Sequence, residues 1–264
     1  MHRITTTRLK KMKQAGEKIA CLTAYDASFA HILDAAGVEI LLVGDSLGMV
    51  IQGQETTLPV SLDEMIYHTR AVRTGSEKAL LMVDMPFMAD ATPAQALHSA
   101  ARLMKEGGAQ MVKLEGGSVL LETVKALAAR GIPVCSHLGL LPQSVHKQGG
   151  YRVQGRDEAS ALEMIGDARA MQAAGADMLL LECVPATLAA EITRAVEIPV
   201  IGIGAGPDVD AQVLVLYDML GITPGKRPSF SHDFLADSGD IPAAVAAYVQ
   251  AVKGGGFPTA VHSF

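Results

Sequence analysis

The sequence is short of basic charge. Its 22 Lys and Arg stand against 28 Asp and Glu, a net charge of −6, which argues against the basic surface that nucleic acids and anionic membranes require. Cysteine is scarce as well. The 3 cysteines, Cys21, Cys135 and Cys183, each sit in a short apolar run without C-x-x-C spacing, so they read as buried thiols of a reducing compartment. No apolar stretch approaches the roughly 18 residues of a membrane span, and Met1 to Gly16 alternates Lys, Arg and Thr with no apolar targeting core. A cytoplasmic protein is expected. No Pro/Gly/Ser-rich linker divides the 264 residues, so residues 1–264 are expected to form one domain. What is present is 49% hydrophobic and 19% charged, enough to bury a large core and too apolar for intrinsic disorder.

That apolar content is arranged in short runs without in/out alternation, as in strands buried on both faces. The runs are Ile19 to Asp26, Ile40 to Ser46, Leu80 to Pro86, Met111 to Gly117, Pro133 to Leu140, Met178 to Val184, Pro199 to Gly204 and Val213 to Met219. Helical punctuation lies between them. Thr92-Pro93 is an N-cap before a proline, with Leu97, Ala101 and Met104 expected on one face, and Ser118 opens a second helix lined by Leu120, Val124 and Leu127. Four phrases, Ala36-Gly37-Val38, Gly107-Gly108-Ala109, Arg130-Gly131-Ile132 and Ala174-Gly175-Ala176, each pair a helix-ending glycine with a buried strand. This repeat predicts a (β/α)8 barrel. A doubly wound sheet would need a glycine fingerprint after the first strand, where the chain has Ala24-Tyr25-Asp26-Ala27; Gly202 to Gly206 reads as a tight turn after the seventh strand.

Charge concentrates where these strands end: Asp26, Asp45, Asp84, Glu115 and Glu182, with His137 at the fifth. In a parallel barrel all such ends open on one face, which carries the chemistry. Asp26 reads as the N-cap of the next helix. Asp45, Asp84 and Glu115 converge and repel unless a cation sits among them, and an all-carboxylate set suits Mg2+. Zinc is disfavoured: there is no H-E-x-x-H motif, and His31, His68, His98 and His146 lack ligand spacing. Lys113 shares a strand face with Glu115, as a Schiff-base former, a cation beside an oxyanion or a structural partner of Glu115; neighbouring acids favour the protonated cation. Glu182 ends an apolar strand whose burial would raise its pKa and suit it to proton abstraction, or it caps a helix. His137 either orients substrate or fills a barrel layer.

Several long motifs carry a resemblance. Gly44-Asp45-Ser46-Leu47-Gly48-Met49, Lys113-Leu114-Glu115-Gly116-Gly117, His137 to Ser144, Gly149-Gly150-Tyr151-Arg152-Val153-Gln154-Gly155-Arg156 and Ile201 to Gly206 are similar to the ketopantoate hydroxymethyltransferase family, from about Lys10 to beyond Phe230. The resemblance implies a phosphoenolpyruvate/pyruvate-type barrel and a cytosolic enzyme of pantothenate biosynthesis. Such an enzyme joins 3-methyl-2-oxobutanoate to the one-carbon unit of 5,10-methylenetetrahydrofolate, giving 2-dehydropantoate. It further implies metal positions at Asp45, Asp84 and Glu115, substrate contacts at Asp45, Ser46, Asp84 and Lys113, a general base at Glu182, and a homodecamer. The chemistry of the residues agrees: Mg2+ chelating the keto and carboxylate oxygens would acidify the C3 proton, with Ser46 on the substrate carboxylate, Lys113 at the developing enolate and Glu182 receiving the proton. Ala211 stands where the family usually has Gly, which raises a question about the local turn. An Mg-dependent C–C lyase of the same barrel type is the alternative, separated by dependence on a folate donor.

Overall fold

The short apolar runs form a closed barrel of eight parallel strands in a computed structural model, which describes residues 3–150 and 152–264. Met1 and His2, and Tyr151 of the glycine-flanked motif, lie outside the described residues. The strands are β1 (Ile19–Thr23), β2 (Ile40–Val43), β3 (Leu80–Asp84), β4 (Met111–Glu115), β5 (Val134–Gly139), β6 (Met178–Glu182), β7 (Val200–Ile203) and β8 (Ala211–Leu214), paired in chain order with β8 closing on β1. The barrel is the expected (β/α)8 architecture, and closure excludes the doubly wound sheet. The helices are α1 (Thr6–Gln14), α2 (Ala27–Ala35), α3 (Leu47–Val50), α4 (Leu62–Gly75), α5 (Pro93–Arg102), α6 (Leu121–Ala128), α7 (Val145–Gln148), α8 (Glu158–Ala174), α9 (Ala186–Ala195), α10 (Leu216–Met219), α11 (Phe234–Ser238) and α12 (Ile241–Lys253).

Successive side chains of a strand point to opposite faces, and here both faces are buried. Ala20, Leu22, Leu41, Val43, Leu81 and Val83 pack outward with the helices. Ile19, Cys21, Ile40, Leu42, Leu80 and Met82 form a second cluster inside the barrel, each such large side chain contributing about 1.5–3 kcal/mol on burial. α1 closes the lower end of that interior. Its Leu9 and Met12 belong to the inner cluster, and Lys13 Nζ donates to Asp210 Oδ2 at 2.8 Å, just before β8. Asp26 caps α2, accepting from the Phe29 amide at 2.9 Å. Gly108 and Gly175 end their helices at φ of +85° and +104°, a region costly for side chains other than glycine.

Two elements differ from expectation. The eighth strand is Ala211–Leu214 and not Val213 to Met219: the Leu216 amide donates to Thr23 Oγ1 at 2.8 Å, and the chain turns into α10, whose Leu216 and Met219 are also buried. A continuous apolar run hides that change of period. Ala211 therefore lies in a strand, fully buried and paired with Ile19 and Ile201, not in a turn. In α5 the buried positions are Ala96, Ser99 and Ala100, with Ala101 exposed and Leu97 and Met104 on the flanks. The helix presents its small residues to its neighbours, which bulk alone did not signal. Cys21, Cys135 and Cys183 are free and buried, and burial pushes the Cys135 and Cys183 thiols up to about 12, leaving them unreactive.

Candidate active site

Two more residues along each inward-facing row, the apolar layers give way to charge. Met82 is followed by Asp84, Met111 by Lys113 and Glu115, Cys135 by His137, and Leu180 by Glu182. Register brings them level: Asp84 pairs with Lys113, Glu115 with His137, and Gly139 with Glu182. Lys113 Nζ lies 2.8 Å from Asp84 Oδ1, 4.0 Å from Glu115 Oε1 and 3.3 Å from His137 Nδ1. His137 Nε2 lies 3.3 Å from Glu182 Oε2, at an angle too poor for a hydrogen bond. Asp45 follows β2 at the same height, its amide donating to Asp84 Oδ2 at 3.1 Å. Ser46 Oγ is 2.9 Å from the Tyr25 hydroxyl.

Asp45, Ser46, Asp84, Lys113, Glu115, His137 and Glu182 line one cavity of about 650 Å³. Asp45, Asp84, Lys113 and His137 are buried, whereas the Glu182 side chain keeps 16% of its surface exposed. The burial expected of Glu182 is therefore only partial: it ends β6 beyond the last apolar layer. Burial, then the charges of Asp84 and Glu115, push the Asp45 carboxyl well above the usual carboxylate range. Burial raises Asp84 too, against the pull of Lys113. In Glu115 burial is outweighed by His137, Lys113 and the Gln143 amide, which hold it below its ordinary value. Burial works against charge on Lys113, but Asp84, Glu115 and Asp45 overcome it and raise the ammonium's pKa. Lys113 is therefore a cation here, not the free amine that an imine requires. His137 is raised by Glu115 and Glu182 against burial and Lys113.

Three residues around this cluster carried no signal in the sequence, being uncharged. Gln143, in the short 3-10 turn Pro142–Ser144 after β5, donates its side-chain amide to Asp45 Oδ2 at 2.8 Å and to the Met85 carbonyl at 2.9 Å, while its backbone N–H donates to Glu115 Oε2 at 2.9 Å. Tyr25 fixes Ser46. Thr57, also in the cavity wall, is buried with no partner for its hydroxyl.

The residues suit a hard cation. Three carboxylates face one ammonium, Glu115 Oε1 is buried without a hydrogen bond, and all donors are oxygen. Among the described residues, no three His, Cys, Asp or Glu side chains are placed as a group that could hold a metal ion by itself. Mg2+ does not need one, as it keeps several waters and takes one or two carboxylates besides substrate oxygens.

The ketopantoate hydroxymethyltransferase family model matches residues 3–260. A 3-methyl-2-oxobutanoate hydroxymethyltransferase of Nitrosococcus oceani is 66% identical over 258 residues, 98% of each chain. The chain belongs to the ketopantoate hydroxymethyltransferase family. Its barrel is also similar to that of 2,3-dimethylmalate lyase, described as a PEP mutase/isocitrate lyase superfamily member, at TM-score 0.59 and 17% identity over 90% of this chain and 88% of that one. A phosphonopyruvate hydrolase solved with oxalate and Mg2+ matches at TM-score 0.62 and 13% identity, over 95% of each chain. These two likenesses show the fold alone. As in any ketopantoate hydroxymethyltransferase, the question the cavity raises is how an acidic site removes a weakly acidic proton.

Proposed function

We propose that this chain transfers the one-carbon unit of 5,10-methylenetetrahydrofolate to C3 of 3-methyl-2-oxobutanoate, with water supplying the hydroxyl, to give 2-dehydropantoate in pantothenate biosynthesis. The observation that carries this reading is a buried Lys113 ammonium flanked by Asp84 and Glu115, with Glu182 facing the same cavity beside His137. Asp45, Asp84 and Glu115 would hold Mg2+, the ion named with the phosphonopyruvate hydrolase of the same fold. When bound, Mg2+ supplies Lewis-acid polarisation of the keto oxygen and fixes the oxoacid's orientation.

The remaining steps belong to side chains. Ser46, its hydroxyl fixed by Tyr25, donates to the substrate carboxylate. Glu182 Oε2 accepts the C3 proton, and its partial exposure leaves it accessible to substrate. Lys113 meets the negative charge that develops on the keto oxygen, a role for which a preformed, water-excluded cation is worth more than one in solvent. His137, between Glu115 and Glu182, orients the base. C3 then forms its new C–C bond to the one-carbon unit, whose bonds to the folate nitrogens break; water supplies the hydroxyl oxygen and tetrahydrofolate leaves. The chain acts in the cytoplasm as a homodecamer, without nucleic-acid or membrane partners; no helix among the described residues is long and apolar enough to cross a membrane, and Tyr67, Val119 and Leu162 offer exposed apolar contacts.

Product analysis tests this reading. Purified protein with the oxoacid, Mg2+ and methylenetetrahydrofolate should yield 2-dehydropantoate, chelation should abolish turnover, and Mg2+ should restore it. Cleavage of a C–C bond without folate would favour the lyase alternative, and full activity in excess chelator would remove the metal from the mechanism.

A further inference from the structure

The cavity lining is uneven in charge. Asp45, Asp84, Glu115 and Glu182 gather around Lys113 and His137 at its buried inner end, whereas its exposed mouth carries Arg152, Lys226 and Arg227, with one acid, Asp218, near Arg227. Arg152 comes from the segment between α7 and α8, Lys226 and Arg227 from the loop after α10, so two separate barrel loops bring positive charge to one rim. Arg227 is engaged by Asp233, Nη1 to Oδ2 at 3.2 Å. Arg152 and Lys226 are exposed, and among the described residues neither has a carboxylate within ion-pair distance. The lining also includes apolar side chains, Met49, Val153 and Phe230 among them.

A volume of about 650 Å³ falls in the range of pockets for drug-sized ligands, roughly 300–1,000 Å³. A five-carbon oxoacid at the acidic end leaves most of it for the second substrate. That substrate must put its reacting carbon near the inner end, lay flat rings along apolar side chains and end in negative charge. Folates have this layout: pterin and aminobenzoyl rings followed by glutamate with two carboxylates. We propose that Arg152 and Lys226 form an anion subsite for the glutamate carboxylates of the one-carbon donor, with Phe230 and its neighbours against the rings. This assignment rests on the folate-donor reading above. The two cations hold the tail by charge-assisted hydrogen bonds, strongest where a guanidinium grips a carboxylate with both arms. They also steer the anion to a mouth leading to a site that would otherwise repel it.

The test deletes the tail from the ligand and the charges from the protein. Titration calorimetry on the Mg2+-loaded protein measures tetrahydrofolate and tetrahydropteroate, which lacks only the glutamate. The native protein should bind tetrahydrofolate about tenfold more tightly or better, in line with one or two partly exposed charge-assisted contacts. The double variant Arg152→Gln/Lys226→Gln should lose that preference to within about twofold, while its affinity for tetrahydropteroate stays within the same margin. A preference that survives the double substitution, or native protein that binds both ligands equally, overturns the subsite. Failure of both ligands to bind the native protein overturns the folate-donor reading itself, a result distinct from loss of the glutamate increment.

Discussion

The two ends of the barrel are built from the same strands and differ by one step of the pleat. At the lower end the inward positions are Ile, Leu, Met and Cys, sealed by Leu9 and Met12 of α1; at the upper end they are Asp84, Lys113, Glu115, His137 and Glu182. The lower end stabilises by removing apolar surface from water. The upper end is costly, because buried charges lose hydration that their mutual attraction only partly returns. Its unpartnered atoms, Glu115 Oε1, His137 Nε2 and Thr57 Oγ1, are places where ligand groups can restore what folding removed. Stability and chemistry are thus assigned to opposite ends, and each can be perturbed with little effect on the other.

The strongest test of that division is at the upper end. Glu182→Gln keeps shape but cannot accept a proton, so exchange of the substrate's C3 proton with deuterated solvent, followed by NMR without folate, should slow about 10²- to 10⁴-fold. Binding of Mg2+ and oxoacid should persist, and unfolding should shift by less than about 2 kcal/mol, since the side chain is only partly buried. Near-native exchange would transfer the base role to another group, with His137 the next candidate. A smaller effect is expected below. Leu9→Ala, fully buried in the inner cluster, should cost about 2–5 kcal/mol in denaturant unfolding with kcat per folded molecule unchanged within twofold. A larger fall in kcat would show that the two ends are coupled. The smallest effect sharpens the boundary: Tyr25→Phe removes only the hydroxyl that fixes Ser46, about 0.5–1.5 kcal/mol, read as a several-fold rise in KM for the oxoacid at near-native kcat. An unchanged KM would mean that Ser46 is positioned by its backbone alone.

Much of this was legible because a doubly buried strand has no choice but an apolar run, so an acid at its end stands out. Asp84, Lys113, Glu115, His137 and Glu182 were visible in that way, and Asp26 was correctly read as a cap. Legibility failed where apolarity continued across a change of structure, as from β8 into α10, and where alanine and serine carried the buried face of α5. Gln143 and Tyr25 were missed for a different reason: their hydrogen bonds join positions far apart in the chain, Gln143 to Asp45 over 98 residues and Tyr25 to Ser46 over 21, and neither spacing has a periodic trace. The burial of Glu182 was inferred from the apolar strand that precedes it, whereas at the strand's end the side chain keeps 16% of its surface exposed.

Barrel closure pairs Ile19 of β1 with Ala211 of β8, and Lys13 with Asp210 across 197 positions of sequence. One edge of β1 is therefore without its partner strand until nearly the whole barrel has been synthesised. At about 5–20 residues per second, a nascent chain spends roughly 10–40 s in that condition. During this interval Ile19 to Thr23, an apolar segment with unpaired backbone groups, is a template for pairing with other chains. The first strand to leave the ribosome is among the last to be completed, and so the yield of folded protein is exposed to crowding by nascent copies of itself at a segment that later becomes buried throughout.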